Sequence, residues 1–200
     1  MSELAARSLT ATQWAPPGRF PVGTPNLSIE ELPLAGIVRL QSRLDESGWL
    51  VRLAAAAGVS ALPDTGCCTV VTPAEHFIAW SAPREWLVFC PLAEEAQRLE
   101  ALEILCDDSL AVATLISDSR VGFRATGADA PALLAKGTAL NLETDAFPPG
   151  SAAATRFAGL AATIVHRVPG EYLVYFDVAY SEFLMRWWLD AADEFFAATR

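Results

Sequence analysis

Lysine is almost absent from this chain. Lys136 is the only one in 200 residues, and 14 basic side chains face 24 acidic ones for a net charge of −10. A surface that displaces counterions from phosphates needs clustered Lys and Arg, so neither nucleic acid nor an anionic membrane is expected as a partner. Histidine is nearly as scarce, with His76 and His166 alone. Neither has an acidic or cysteine neighbour at a metal-ligand spacing, which argues against a metal site. Both read as strand-end histidines, and no Gly-x-Ser-x-Gly elbow supplies a nucleophile for either to activate. Gly-x-Gly-x-x-Gly and a phosphate-cradling Gly-Lys-Ser/Thr are also missing, so no self-contained nucleotide or flavin site is expected. The four cysteines, Cys67, Cys68, Cys90 and Cys106, include no Cys-x-x-Cys, and an adjacent pair is an awkward disulfide. They read as small thiols of a reducing cytoplasm. No uncharged apolar run reaches the length of a membrane span, and "MSELAARSLTATQWAPPGRF" lacks the apolar core of a signal peptide.

What the chain does have is apolar sequence: 52% hydrophobic residues against 19% charged. That exceeds the needs of an ordinary core and points to apolar surface that meets a partner. Alanine runs such as "RLAAAAG" and "GSAAATRFAGLAA" supply much of the count and offer the blander explanation.

Two stretches are nearly the same. "PREWLVFC" (83–90) and "PGEYLVYF" (169–176) each place a glutamate after a turn and then alternate aromatic and aliphatic residues, as a strand covering two faces of a sheet does. The elements around them recur in order. "GIVRLQSR" (36–43) predicts a strand, "GWLVRLAAAAG" (48–58) a short helix closed by Gly58, "HFIAWSAPREWLVFC" a hairpin, and 92–105 a helix. "CDDSL" (106–110) reads as an acidic helix exit. "LAVATLIS" and "RVGFRATG" predict strands broken at Asp118-Ser119, and "ADAPALLAKG" (128–137) a short helix. "LAATIVHR" and "EYLVYFDV" predict a second hairpin turning at Pro169-Gly170. The final helix, 180–199, carries an apolar stripe of Tyr180, Phe183, Leu184, Trp187, Ala191 and Phe195.

The expected fold is therefore α+β with mainly antiparallel sheet, pseudo-duplicated as strand, helix, hairpin, helix. Residues 35–200 form one domain of two halves, about 35–106 and 107–200. The Pro-rich residues 1–34 form an extended arm in which Trp14 and Phe20 are the side chains available to a partner. Arg120 and Arg124, four apart on one strand, point to the same face. They are candidates for binding a carboxylate or meeting acids across a subunit boundary, or they are solvated.

"SDSRVGFRATGADAPALLAKGTALNLETDAFPPG" (117–150) resembles the gamma subunit family of heterotetrameric sarcosine oxidase. The likeness lies in the Ser-Asp-Ser stretch, the Gly-x-x-Ala turn, the Leu-Leu-Ala-Lys-Gly helix end and the Phe-x-Pro-Gly loop. "APREWLVF" and "EYLVYF…FLMRWWLDAADEF" extend it over about 30–197. Departures are Asn141-Leu142 for an Asp-Leu pair, Ala82-Pro83 for Gly-Pro, and Val178-Ala179 for Arg-Ser. The resemblance implies a fold like the folate-binding aminomethyltransferases and a non-catalytic subunit that binds no cofactor itself. FAD, FMN, NAD and tetrahydrofolate would sit in the alpha, beta and delta subunits of a cytoplasmic complex that oxidises sarcosine. Two alternatives stand beside it. One is a free-standing folate-binding or aminomethyltransferase-like enzyme, for which "GLAATIVHR" offers only Thr163 where an acidic residue is needed. The other is a stand-alone interaction protein.

Overall fold

The computed structural model describes residues 20–43, 47–71, 76–106 and 110–197. Residues 20–34 depart from the expected arm. Strands β1 (Val22–Thr24) and β2 (Leu27–Glu31) form an antiparallel hairpin. Leu27 and Ile29 are buried while Ser28 and Glu30 are half-buried, a period-two pattern too short to stand out among the flanking prolines. Phe20 sets its ring edge-on to Phe123 at 6.4 Å. Trp14 and most of the expected acidic helix exit, residues 107–109, lie outside the described residues.

The division expected near 106 falls at 118. The chain folds as two compact units. Among the described residues, the first holds those of 35–118 and 150–154 and the second holds 20–34, 119–149 and 155–197. The first unit runs β3 (Ala35–Ser42), α1 (Ser47–Ala57), β4 (Cys68–Val71), β5 (His76–Ala82), β6 (Glu85–Pro91), α2 (Glu95–Cys106) and β7 (Ala111–Leu115). The boundary falls after 106 because β7 returns to pair with β3, completing an antiparallel sheet in the order β4-β5-β6-β3-β7. Val38, Leu40, Ile78, Trp86 and Val88 line one sheet face and pack against Trp49 and Leu53 of α1 and Leu102 and Cys106 of α2.

The second unit adds β8 (Arg120–Thr126), α3 (Ala130–Ala135), the end of β9 (Ser151–Phe157, whose residues 151–154 fall in the first unit), β10 (Leu160–Val168), β11 (Glu171–Asp177) and α4 (Ser181–Ala197). Its sheet order is β1-β2-β8-β11-β10-β9. The core is aromatic: the Trp188 ring lies 5.6 Å from Phe123 and 5.2 Å from Phe157, and Phe157 lies 5.6 Å from Phe176. Gly127 holds φ +105°, and a Cβ there would meet Asn26 O at 2.1 Å, so only glycine lets this turn meet the β1–β2 turn.

Both units thus run strand, helix, three strands, helix. The expected plan lacked one strand per half, because β4 is only Cys-Thr-Val-Val and β9 begins with an alanine run of weak strand propensity. The stripe expected on α4 is also displaced. Leu184, Met185, Trp188, Leu189 and Ala192 are buried, while Tyr180 and Phe183 are exposed. At about 100° per residue, the buried stripe sits roughly a quarter turn from the one drawn through the aromatics. The helix buries its aliphatic and Trp188 side.

Candidate functional site

The repeated glutamate does the same structural work in each unit. Glu85, at the start of β6, accepts hydrogen bonds from Gln41 Nε2 (2.7 Å) and Ser81 Oγ (3.1 Å). Glu171, at the start of β11, accepts from Arg167 Nε (2.7 Å) and lies 3.7 Å from Arg124 Nη1. Each carboxylate ties its own strand to the residue four positions back and to the neighbouring strand. The duplicated sequence encodes this clasp.

Arg124 and Arg120 share one face of β8, as their spacing predicts. Arg124 Nε donates to Glu30 Oε1 at 2.6 Å, and a second guanidinium nitrogen meets the same carboxylate. With Glu171 and Arg167 it forms a ladder of alternating charge across β2, β8, β11 and β10. Arg120 stands opposite Asp177 in register. Arg124 is therefore engaged inside its own sheet.

The histidines have separate surroundings. His166 is buried, its Nδ1 bonds Phe147 O at 2.7 Å, and its ring stacks on Tyr172 at 4.3 Å. His76 Nε2 lies 3.1 Å from Glu94 Oε2, an ion-pair distance without hydrogen-bond alignment. Among the described residues no group of three His, Cys, Asp or Glu side chains gathers as metal ligands. Cys90 and Cys106 are buried, and burial pushes the Cys90 thiol pKa up. Thr163, the one polar group weighed for a folate role, sits on β10 opposite Tyr175. No helix of the described residues is long and apolar enough to cross a membrane.

The motifs behind the family resemblance serve the fold. Lys136 Nζ donates to Ala191 O (2.6 Å), pairs with Glu194 (2.8 Å) and stands 4.9 Å over the Phe195 ring, fixing the end of α3 to α4. A Cβ on Gly137 would come within 2.6 Å of the Phe157 ring. Phe147 offers its carbonyl to His166.

Two surfaces remain. At the start of α4, Phe183 is exposed, as is Tyr180 in the turn just before it. In the first unit, Gln41, Arg43, Arg84, Glu85 and residues 110–112 line a cleft of about 630 Å³. Tyr180 and Phe183 belong to the aromatic stripe that the sequence marks, whereas the cleft is not legible there, because Arg43, Arg84 and Leu110 come from segments distant in sequence.

A family model described as sarcosine oxidase, gamma subunit family, matches residues 51–194. The chain belongs to this family. Its fold is similar to a chain of the heterotetrameric sarcosine oxidase from Corynebacterium sp. U-96 bound to pyrrole 2-carboxylate. The TM-score is 0.76 at 22% identity, over 84% of this chain and 85% of that one. It is also similar to glycine cleavage system aminomethyltransferase T from Bartonella henselae. There the TM-score is 0.60 at 12% identity, over 82% of this chain and 45% of that one. No curated protein sequence matches the chain at a comparable level. Within the sarcosine oxidase gamma subunit family, the α+β fold with two antiparallel sheets is the feature this chain shares with the aminomethyltransferase.

Proposed function

We propose that the chain is a non-catalytic gamma-type subunit of a heterotetrameric sarcosine oxidase or a related flavin-dependent complex that oxidises N-methyl amines. Its partners are the alpha, beta and delta subunits, which hold FAD, FMN, NAD and tetrahydrofolate. The observation that carries this reading is the family match over residues 51–194. The use of the polar side chains supports it: Glu85, Glu171, Arg124, Lys136 and His166 each hold the fold together. A tagged copy recovered from its native cell should bring larger, flavin-coloured chains identifiable by mass. The isolated chain should be colourless and inactive on sarcosine. A stoichiometric flavin spectrum from the chain alone would sink the reading.

The aminomethyltransferase likeness favours one competing reading, a free-standing folate-binding protein. Engagement of Arg124 by Glu30 and Glu171 weighs against Arg120 and Arg124 as a clamp for a glutamate tail. Calorimetric titration with tetrahydrofolate separates the two readings: saturable micromolar binding to the isolated chain would favour the folate protein.

A further inference from the structure

Strand β3 lies inside the first unit's sheet, between β6 and β7. Its side chains alternate. Val38 and Leu40 pack toward the helices, so Ile37, Arg39 and Gln41 stand on the opposite face. In register with Arg39 are Leu87 on β6 and Thr114 on β7. Directly paired residues share a face, so these two side chains flank the guanidinium. Ile37 and Leu87 are buried. Arg39 is thus set beside apolar side chains at mid-strand, with its backbone held by a neighbour on each side.

The sheet offers this arginine no acid. Its five strands contain a single carboxylate, Glu85, which stands opposite Gln41 rather than Arg39. Both Glu85 oxygens accept from neutral donors, Oε2 from Gln41 and Oε1 from Ser81. Among the described residues nothing bonds to Arg39, and its Nε is closed off from water without an acceptor. The residue as a whole is half-buried, so its terminal nitrogens stay within reach of a ligand. The second unit treats its arginines differently: Arg124 holds Glu30 and Glu171, and Arg167 holds Glu171. Scarcity of acids does not explain the difference, in a chain with 24 acidic side chains for 14 basic ones. A guanidinium that has lost part of its hydration and gained no counter-charge is destabilising, and a carboxylate on its fork reverses that through two charge-assisted hydrogen bonds.

We propose that Arg39 is the binding site for a carboxylate that comes from outside the chain. The terminal nitrogens take its two oxygens and Thr114 adds a hydroxyl. A free small acid and an aspartate or glutamate of a companion subunit present the same group, and the site does not depend on the subunit reading. Acetate is titrated into the isolated chain at neutral pH and constant ionic strength, with chloride as the control, and followed at the amide resonances of Arg39, Leu87 and Thr114. A saturable shift is expected with acetate and none with chloride. Thr114→Val should weaken it by about tenfold. Arg39→Gln should fold with an unchanged or higher melting temperature, because it removes an unpaired charge, and should lose the shift at Leu87 and Thr114. Reassembly of the native complex tells the two sources apart. Assembly weakened about tenfold by Arg39→Gln gives the carboxylate to a companion. Saturable acetate binding with assembly indifferent to the variant, or with no companion to assemble, gives it to a free acid. No acetate shift together with assembly indifferent to Arg39→Gln, or with no companion, overturns the site. So does a shift that persists in Arg39→Gln, which places acetate elsewhere. An Arg39→Gln chain that melts well below the original also overturns it, since Arg39 would then hold a partner within its own fold.

Discussion

The two hairpins with the Pro-x-Glu signature share a backbone plan but differ in what they attach to it. The β5–β6 hairpin turns through Pro83-Arg84 and anchors its glutamate on an amide and a hydroxyl. The β10–β11 hairpin turns through Pro169-Gly170 and anchors its glutamate among two guanidiniums. The cores differ in the same sense. The first unit packs mostly aliphatic residues, with tryptophans at its margin. The second unit stacks Phe123, Phe157, Phe176 and Trp188 into one aromatic cluster. One ancestral-looking plan thus carries two stability strategies.

Breaking the cores should give the largest effects. Trp188→Ala removes the ring that Phe123 and Phe157 pack on and should cost about 3–5 kcal/mol. Leu53→Ala, in the first unit's core, should cost about 2–4 kcal/mol. Denaturant titration followed by hydrogen exchange checks both. If the units unfold separately, each variant should expose the amides of its own sheet first.

The glutamate clasps come next. Glu171→Gln should cost about 2 kcal/mol, since it removes a charge from two nearby guanidiniums in a mostly buried position. Glu85→Gln should cost below about 1 kcal/mol, because its neutral partners still find an acceptor. Equal losses in the two variants would contradict the contrast drawn between the hairpins.

The paired motif made most of this plan legible. Short β-branched and aromatic runs marked β3, β5, β6, β8, β10 and β11, and the Pro-x-Glu turns marked two of their joints. β9 was hidden because Ala152–Ala154 have no strand preference and its burial comes from tertiary pairing. β2 was hidden because five alternating residues amid prolines are a weak signal. The α4 stripe was read through its aromatics, while the buried side carries Leu184, Met185, Leu189 and Trp188. Arg120 and Arg124 were legible as a same-face pair, since strand periodicity needs no tertiary information. That Glu30 and Glu171 would meet Arg124 was not, because those partners come from strands distant in sequence.

Alkaline pH should separate the units further. Burial pushes the Tyr175 hydroxyl pKa well above its ordinary value of 10. In the unfolded chain the phenol ionises near pH ~10, so above that pH the unfolded state binds fewer protons than the folded one. The contribution is present in full below about pH 10 and is lost as pH rises through the folded value. Tyr175→Phe should flatten the loss of stability above about pH 10 in chemical denaturation curves. An unchanged slope would place the alkaline sensitivity elsewhere.

The smallest effects belong to the two arginines on β8. Arg124→Ala breaks two contacts, to Glu30 and Glu171, but its guanidinium is about a third exposed and solvent screens it. A loss of about 0.5–1 kcal/mol is expected, shrinking in high salt. Arg120→Ala should stay within about 0.5 kcal/mol, as for an ordinary half-exposed strand residue opposite Asp177. Thermal melts at low and high ionic strength read both values. The ladder makes Glu30, Arg124 and Glu171 a coupled set, so Arg124→Ala combined with Glu171→Gln should cost less than the sum of the two single losses. Strict additivity would mean that the charges on β2, β8 and β11 act independently, and the contrast between the two glutamate clasps would then rest on Arg167 alone.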